Sequence, residues 1–240
     1  MGPLNDQVDD RHLDPWPALP LESWKDTYAT LHMWSQMVGK VRLALTPLVN
    51  HWWNVPLYLT ARGLTTSPIP YRDRAFEIWF DFIDHQLVLQ TSDGSCKILP
   101  LAPRTVADFY QEFMRMLHSS GIEVKIWRMP VEIPNPIPFD EDRVHASYDP
   151  EAVQKFWRIL LSVHSVFEEF RSRFIGKCSP VHFFWGSFDL AVEVLWPPSA
   201  RPSRCRRHHS GGLFTRGEQC RILARQRKHY RPCVLLVRRT

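Results

Sequence analysis

A helical period is the first pattern along the chain. In "ESWKDTYATLHMWSQMVGK" Trp24, Tyr28, Leu31, Trp34 and Val38 recur at steps of three and four, which lines one helix face with apolar side chains. Gly39 predicts the end of that helix. "VRLAL" then predicts a short strand, closed by Pro47. "NHWWNVPLYLTARGL" reads as a second extended segment, in which Pro56 favours an edge or a bulge.

The period then changes from helical to two. Phe76, Ile78, Phe80 and Phe82 alternate with Glu77, Trp79, Asp81 and Ile83, so one strand face is wholly apolar. Asp84 and His85 mark a turn, and Ser92-Asp93-Gly94 marks another, because Asp-Gly supports positive φ at little cost. Three strands in a meander ending at Pro100 follow from this. "TVADFYQEFMRMLHSSG" predicts a second helix, with Thr105 as N-cap, Asp108 three residues on, and Val106, Phe109, Phe113 and Leu117 facing the core. "EVKIWRM" reads as a strand, and "PVEIPNPIPFDEDRVHASY" as a long proline-rich loop of the kind that often carries function.

A third helix begins at Asp149, a capping residue, with Pro150 at the first helical position, where its missing N–H costs nothing. Phe156, Leu160, Val163, Phe167, Phe170 and Phe174 form its apolar stripe. "PVHFFWGSFDLAV" is almost continuously apolar and predicts one last, central strand. Helices and strands do not alternate one for one. The predicted class is therefore α+β, a largely antiparallel sheet with about three helices packed on it.

Charge divides the chain. Of the 240 residues, 193–240 hold eleven Arg and one Lys against two Glu, a net +10. The whole chain is +5, which leaves −5 for the other 192 residues. Any contact with nucleic acid therefore rests on the basic tail alone. Residues 1–18, proline-rich and acidic, read as a disordered leader without the charged and apolar regions of a secretory signal. No run approaches the roughly eighteen apolar residues of a membrane span. Five Cys without framework spacing argue against a disulfide-stapled secreted domain, so the expected location is cytoplasmic, without a membrane partner.

The chain lacks a phosphate loop, a dinucleotide fingerprint, a nucleophile elbow, H-E-x-x-H and C-x-x-C. What remains is histidine beside tryptophan and carboxylate. His51 stands beside Trp52 and Trp53. His182 lies on the last strand with Phe184 and Trp185, and Asp189 joins its face only if Gly186 forms a bulge. His32 lies near the apolar stripe of the first helix, where a core role is expected. "FDEDRVH" gathers Asp140, Asp142 and His145, a solvated loop or a hard-metal or general-base site. Glu132 is a charge in apolar company. In the tail, Cys205 and His208 with His229 and Cys233 have spacing like that of zinc ligands.

Four stretches, "TLHMWSQMVGKVRLALTPLVNHWWNVPLYLTARGLTTSPIP", "FDFIDHQLVLQTSDG", "PVEIPNPIPFDEDRVHASYD" and "GKCSPVHFFWGSFDLA", together resemble the microbial family called domain of unknown function 5996. The resemblance runs from about Leu19 to Val192. It implies one domain over 19–192 and includes the motif residues His51, Trp52, His182, Trp185 and Asp189, but it carries no assigned activity. Family members look as if they continue with a further aromatic region, whereas this chain turns Arg-, Pro- and Cys-rich. A frameshift near Ala191–Glu193, or a disordered tail, is the expectation for 193–240.

Two functions are expected from these residues. One is a His/Asp-based or metal-assisted hydrolase of a small molecule, with His51, His182 and Asp189 catalytic. The other is a non-catalytic domain binding a sugar or an aromatic ligand through Trp52, Trp185, Glu132 and Asp142. Nucleic-acid contact through the tail is a third. The sequence names no cofactor, no confident metal and no oligomeric state.

Overall fold

A computed structural model describes residues 14–195, 219–223 and 235–238, with side chains for 14–194. Helix α1 spans Leu21–Leu45, so it runs through both Gly39 and the segment expected as a strand. Every residue from Thr30 to Arg42 is buried. Burial on this scale outweighs the ~1 kcal/mol propensity cost of one glycine. Gly39 does not stop the helix; it admits a neighbour. A Cβ there would lie 2.2 Å from the Trp185 indole. The stop is Pro47, which forces Thr46 into an extended conformation, ψ 142°.

The period-two segment folds as predicted. Strands β1 (Tyr58–Leu59), β2 (Gly63–Thr65), β3 (Ile69–Tyr71), β4 (Arg74–Asp81), β5 (Gln86–Thr91) and β6 (Cys96–Pro100) form an antiparallel sheet in the order β1-β2-β4-β5-β6, with β3 also on β4. Phe76, Ile78, Phe80 and Phe82 are all buried. The turn after β5 uses Gly94 at φ 92°.

Helix α2 (Val106–Ser119) starts where the Thr105 hydroxyl accepts from the Asp108 N–H at 3.1 Å. Helix α3 (Pro150–Arg173) starts where the Asp149 carboxylate accepts from the Glu151 N–H at 3.0 Å. Phe156, Leu160, Val163 and Phe167 of its stripe are buried, and Phe170 and Phe174 pack partly buried against the core. Trp34 of α1 stacks on Phe109 of α2, ring centroids 4.3 Å apart.

Two further predicted strands differ. Residues 123–129, "EVKIWRM", form no ladder. Side chains take up part of their backbone: Lys40 Nζ donates to Met129 O at 2.7 Å, and the Glu123 N–H donates to the Tyr71 hydroxyl at 2.8 Å. The single strand expected over 180–192 is a hairpin, β8 (His182–Phe184) and β9 (Asp189–Leu195), reversed through Trp185–Phe188 with Phe188 at φ 57°. An unbroken apolar run cannot distinguish one buried strand from two joined by a tight turn. With β7 (Lys177–Cys178), β10 (Gln219–Leu223) and β11 (Leu235–Arg238), the hairpin builds a second antiparallel sheet, order β11-β10-β9-β7 with β8 also on β9. Reciprocal bonds of 2.9 Å between Leu57 and Phe183 join it to the first sheet region.

The architecture is α+β, with all strand pairs antiparallel among the described residues. Residues 14–18 run beside α3, where the Ser162 hydroxyl donates to Pro15 O at 2.6 Å. The expected disorder of 1–13, most of the basic tail and the Cys/His spacing at 205–233 lie outside the described residues. Among those described, no helix is long and apolar enough to cross a membrane.

The Gly39–Trp185 contact gives a direct test. The indole cannot retreat freely, because its Nε1–H is committed to Val55 O at 2.9 Å. Gly39→Ala is expected to destabilise by about 1–3 kcal/mol through overpacking, read from urea denaturation. Trp185→Leu in the same chain should recover part of that loss; additive effects would refute the contact.

Candidate functional site

The β8–β9 hairpin decides which side chains meet. His182 pairs with Ala191 and Phe184 with Asp189. Directly opposed residues share a face, and so do alternate residues along a strand. His182, Phe184, Asp189 and Glu193 therefore lie on one face, brought into parity by a turn rather than by a bulge at Gly186. On the other face, Phe183 packs edge-on against Phe188, and Phe188 stacks on Phe156 of α3 at 5.3 Å.

His182 is 1% exposed, and neither ring nitrogen has a hydrogen-bond partner among the described residues. Three aromatic rings meet it edge-on: Trp53 at 5.8 Å, Tyr58 at 5.6 Å and Phe184 at 5.4 Å between centroids. Burial, then the positive charges of Arg42 and Arg171, push its pKa down to about 4, so the ring is neutral at pH 7. Arg42 is buried too. Its Nε–H donates to Asn54 O at 2.7 Å and its guanidinium lies 5.4 Å from the Tyr58 ring centre, while Nη1 has no partner among the described residues. Burial pushes the Arg42 pKa below its ordinary value and that of Tyr58 above it. The Trp53 indole N–H donates to Glu193 Oε2 at 2.7 Å, which fixes that ring beside His182.

The other predicted residues are distributed differently. His51 is exposed and its ring lies 5.8 Å from that of Trp53. Among the described residues no hydrogen bond joins His51, His182 and Asp189; Asp189 accepts from the Ser187 hydroxyl. Trp52 is 58% exposed, unlike Trp53, whose indole N–H is held by Glu193. His51 and Trp52 both have left-handed φ, 61° and 59°, a conformation that is costly for bulky residues and places strain at the rim of the site. Trp185 is a core residue, held by Gly39 and Val55. Glu132, at φ 57°, reaches over Gly186 of the hairpin turn.

The acidic loop is a lock. Asp142 is buried and accepts from the N–H groups of Val144 and His145 and from His145 Nδ1, at 3.0, 3.1 and 2.7 Å. Backbone N–H groups of Val106 and Ala107 donate to the carbonyls of His145 and Asp142, so the loop is tied to the start of α2. Asp140 pairs with Arg128. Among the described residues, no group of three His, Cys, Asp or Glu side chains is placed to hold a metal ion.

The sequence reading passed over a polar row on α1. His32, Gln36 and Lys40, four residues apart, share a face and are all buried. His32 Nε2 lies 3.0 Å from both Trp185 O and Gly186 O, so that nitrogen carries the proton and donates. Gln36 exchanges two bonds of 2.8 Å with the backbone of Val131. Lys40 is lodged at Met129 O beside the Trp127 and Phe139 rings, and burial lowers its pKa to about 8. The row pins the proline-rich loop and the hairpin turn. Its signal was visible as polar residues at i, i+4 and i+8, and so was Arg42, had the helix been continued past Gly39.

A surface groove of about 430 Å³ lies elsewhere, between the start of α1 and residues 146–149, and holds none of the predicted site residues. A family model described as a family of unknown function, DUF5996, matches residues 16–204. The chain belongs to this family. The match covers α1 through β9 and reaches past Val192, so Arg42, Trp53, Tyr58, Arg171 and His182 all lie within the DUF5996 region. Comparison with curated proteins and with solved structures gives no match.

Two buried histidines set a pH dependence. Burial lowers the pKa of His32 to about 4 against the donation to Trp185 and Gly186 carbonyls, and His182 also falls to about 4. In the unfolded chain both titrate near 6.5. Between these values the unfolded chain binds more protons, so acid favours unfolding. Stability should fall by up to about 1.4 kcal/mol per pH unit per histidine from pH 6.5 down toward 4. Urea midpoints at pH 7, 6 and 5 read this out, and His32→Gln should remove about half of the slope. A midpoint constant over that range contradicts the assignment.

Proposed function

We propose that this DUF5996 protein recognises a small molecule on the face of the β8–β9 hairpin that carries His182. The observation that carries this reading is the imidazole itself: fully buried, neutral, and without a partner for either nitrogen among the described residues. A buried polar group without a partner costs about 1–3 kcal/mol. A ligand that donates to one nitrogen and accepts from the other offsets that cost. The half-buried rings of Trp53, Tyr58 and Phe184 supply flat apolar edges around the same point. Rings with one polar end are the usual lining of such sites.

Recognition requires only what these side chains offer. Hydrolysis by His51, His182 and Asp189 requires a nucleophile and a base within hydrogen-bond reach of one another. The His51–Trp52 segment next to Trp53, both residues at left-handed φ, lies exposed at the edge of this site.

His182→Phe separates a recognition role from a packing role. Without ligand, the variant should be as stable as the parent or up to about 1 kcal/mol more stable, because an unsatisfied polar group is removed. The parent should show saturable quenching of tryptophan fluorescence within a panel of sugars and flat aromatic compounds, and the variant should not. A loss of more than about 2 kcal/mol in the variant, with ligand response intact, refutes the reading.

A further inference from the structure

We infer that the open edge of β6, together with the face of α2 beside it, takes an acidic peptide segment of a partner protein as an added, extended strand. The first sheet ends at β6, which among the described residues pairs on one side only, with β5. The Thr91 N–H donates to Ser95 O and the Leu101 N–H to His85 O, at 2.9 and 2.8 Å. Backbone direction alternates along a strand, so Lys97 and Leu99, of the same parity, turn their peptide groups toward β5. Cys96 and Ile98 turn theirs outward. Their N–H and C=O groups form a free edge that closes at Pro100, which has no N–H to offer. Between this edge and α2 lies a groove of about 370 Å³, within the roughly 300–1,000 Å³ of ligand clefts. Leu99 and Met116, both buried, and Ile98, 56% exposed, give it apolar surface. It shares no residue with the His182 site.

Charge selects the occupant. Lys97 and Arg115 are exposed in the groove, and neither has an ion pair among the described residues. Glu112, the carboxylate of the groove, is already paired with Arg104. The lining therefore keeps two uncompensated positive charges. A lysine on an edge strand opposes pairing with a second copy of the same edge, because like charges meet across the new ladder. It favours a strand that carries carboxylates. Directly opposed residues share a sheet face. A peptide side chain opposite Lys97 or Leu99 thus lies on their core-facing side, and its sequence neighbours lie on the side of Ile98. A segment that alternates carboxylates with β-branched residues fits both sides. In strand addition of this kind the main chain supplies affinity and the alternate side chains supply specificity.

The probe is a fluorescein-labelled, eight-residue peptide of alternating Glu and Val, titrated against the full chain by fluorescence anisotropy. It should bind at one site, at least about tenfold tighter than the Lys/Val counterpart. Two further Glu/Val peptides carry N-methyl groups on alternate residues, in the two possible phases. One should bind like the parent peptide and the other about tenfold weaker or less, because only one set of N–H groups faces β6. Ile98→Pro removes an outward N–H and leaves the β5 ladder intact, so the chain should keep its urea midpoint and lose about tenfold in peptide affinity. Lys97→Glu with Arg115→Glu, both at exposed positions, should weaken the peptide at least as much. Equal binding of the two N-methylated peptides overturns the added strand. Binding no tighter than that of the Lys/Val peptide overturns the acidic occupant. Binding that survives all three substitutions lies elsewhere, as on the Arg-rich residues 193–240, and overturns the inference. A dimer in sedimentation that Ile98→Pro dissolves makes a second copy the occupant and overturns it too.

Discussion

Helix α1 has no solvent face over its middle three turns, and the rest of the molecule is arranged around that fact. Thirteen successive residues, Thr30 to Arg42, are buried, and four of them are His32, Gln36, Lys40 and Arg42. A buried polar group must find a partner inside the protein. The partners are carbonyls of segments without regular structure: Trp185 and Gly186 for His32, Val131 for Gln36, Met129 for Lys40 and Asn54 for Arg42. The irregular stretches are thus placed by side chains of one helix. This accounts for the order of the 123–148 segment without a sheet ladder to hold it.

The same constraint produces the candidate site. Along α1 the row His32, Gln36 and Lys40 is engaged, the Trp34 indole N–H is buried without a partner among the described residues, and near the C-terminal end Arg42 carries more N–H groups than Asn54 O accepts. The β8–β9 hairpin brings His182 to the neighbourhood of that surplus, and the rings of Trp53 and Tyr58 shield both from water. A low-dielectric surround strengthens whatever electrostatic contact a ligand makes there, and it also keeps the imidazole neutral. On the proposed recognition reading, the polar atoms that reduce stability are the ones a ligand would engage.

Most of the regular structure was legible in the chain. The alternation from Phe76 to Phe82, the Thr105 and Asp149 caps and the α3 stripe each arise from local period or capping chemistry, and each reappears in the fold. The misread places share a cause. Gly39 looks like a terminator because a lone glycine usually is one; its role as a seat for Trp185 depends on a residue 146 positions away. "EVKIWRM" has strand composition, but a strand needs a ladder partner, and none is offered at that position. The 180–192 run hides a turn because both hairpin strands are buried.

The candidate residues divide in the same way. The sequence alone determined that His182 belongs to an aromatic strand near Asp189, that the body is acidic and the tail basic, that the class is α+β and that the chain resembles DUF5996. It also placed His51 and Trp52 beside the residue that matters there, Trp53. Only the tertiary structure decided that Trp185 and Asp142 are held in packing and loop-locking contacts and that Glu132 sits over a turn. It alone placed Arg42, Tyr58 and Glu193 near His182. These residues come from α1, β1 and β9, separated by up to 151 positions. Local periodicity reports which face of an element is apolar, whereas an unsatisfied donor becomes visible only when every possible partner is in place.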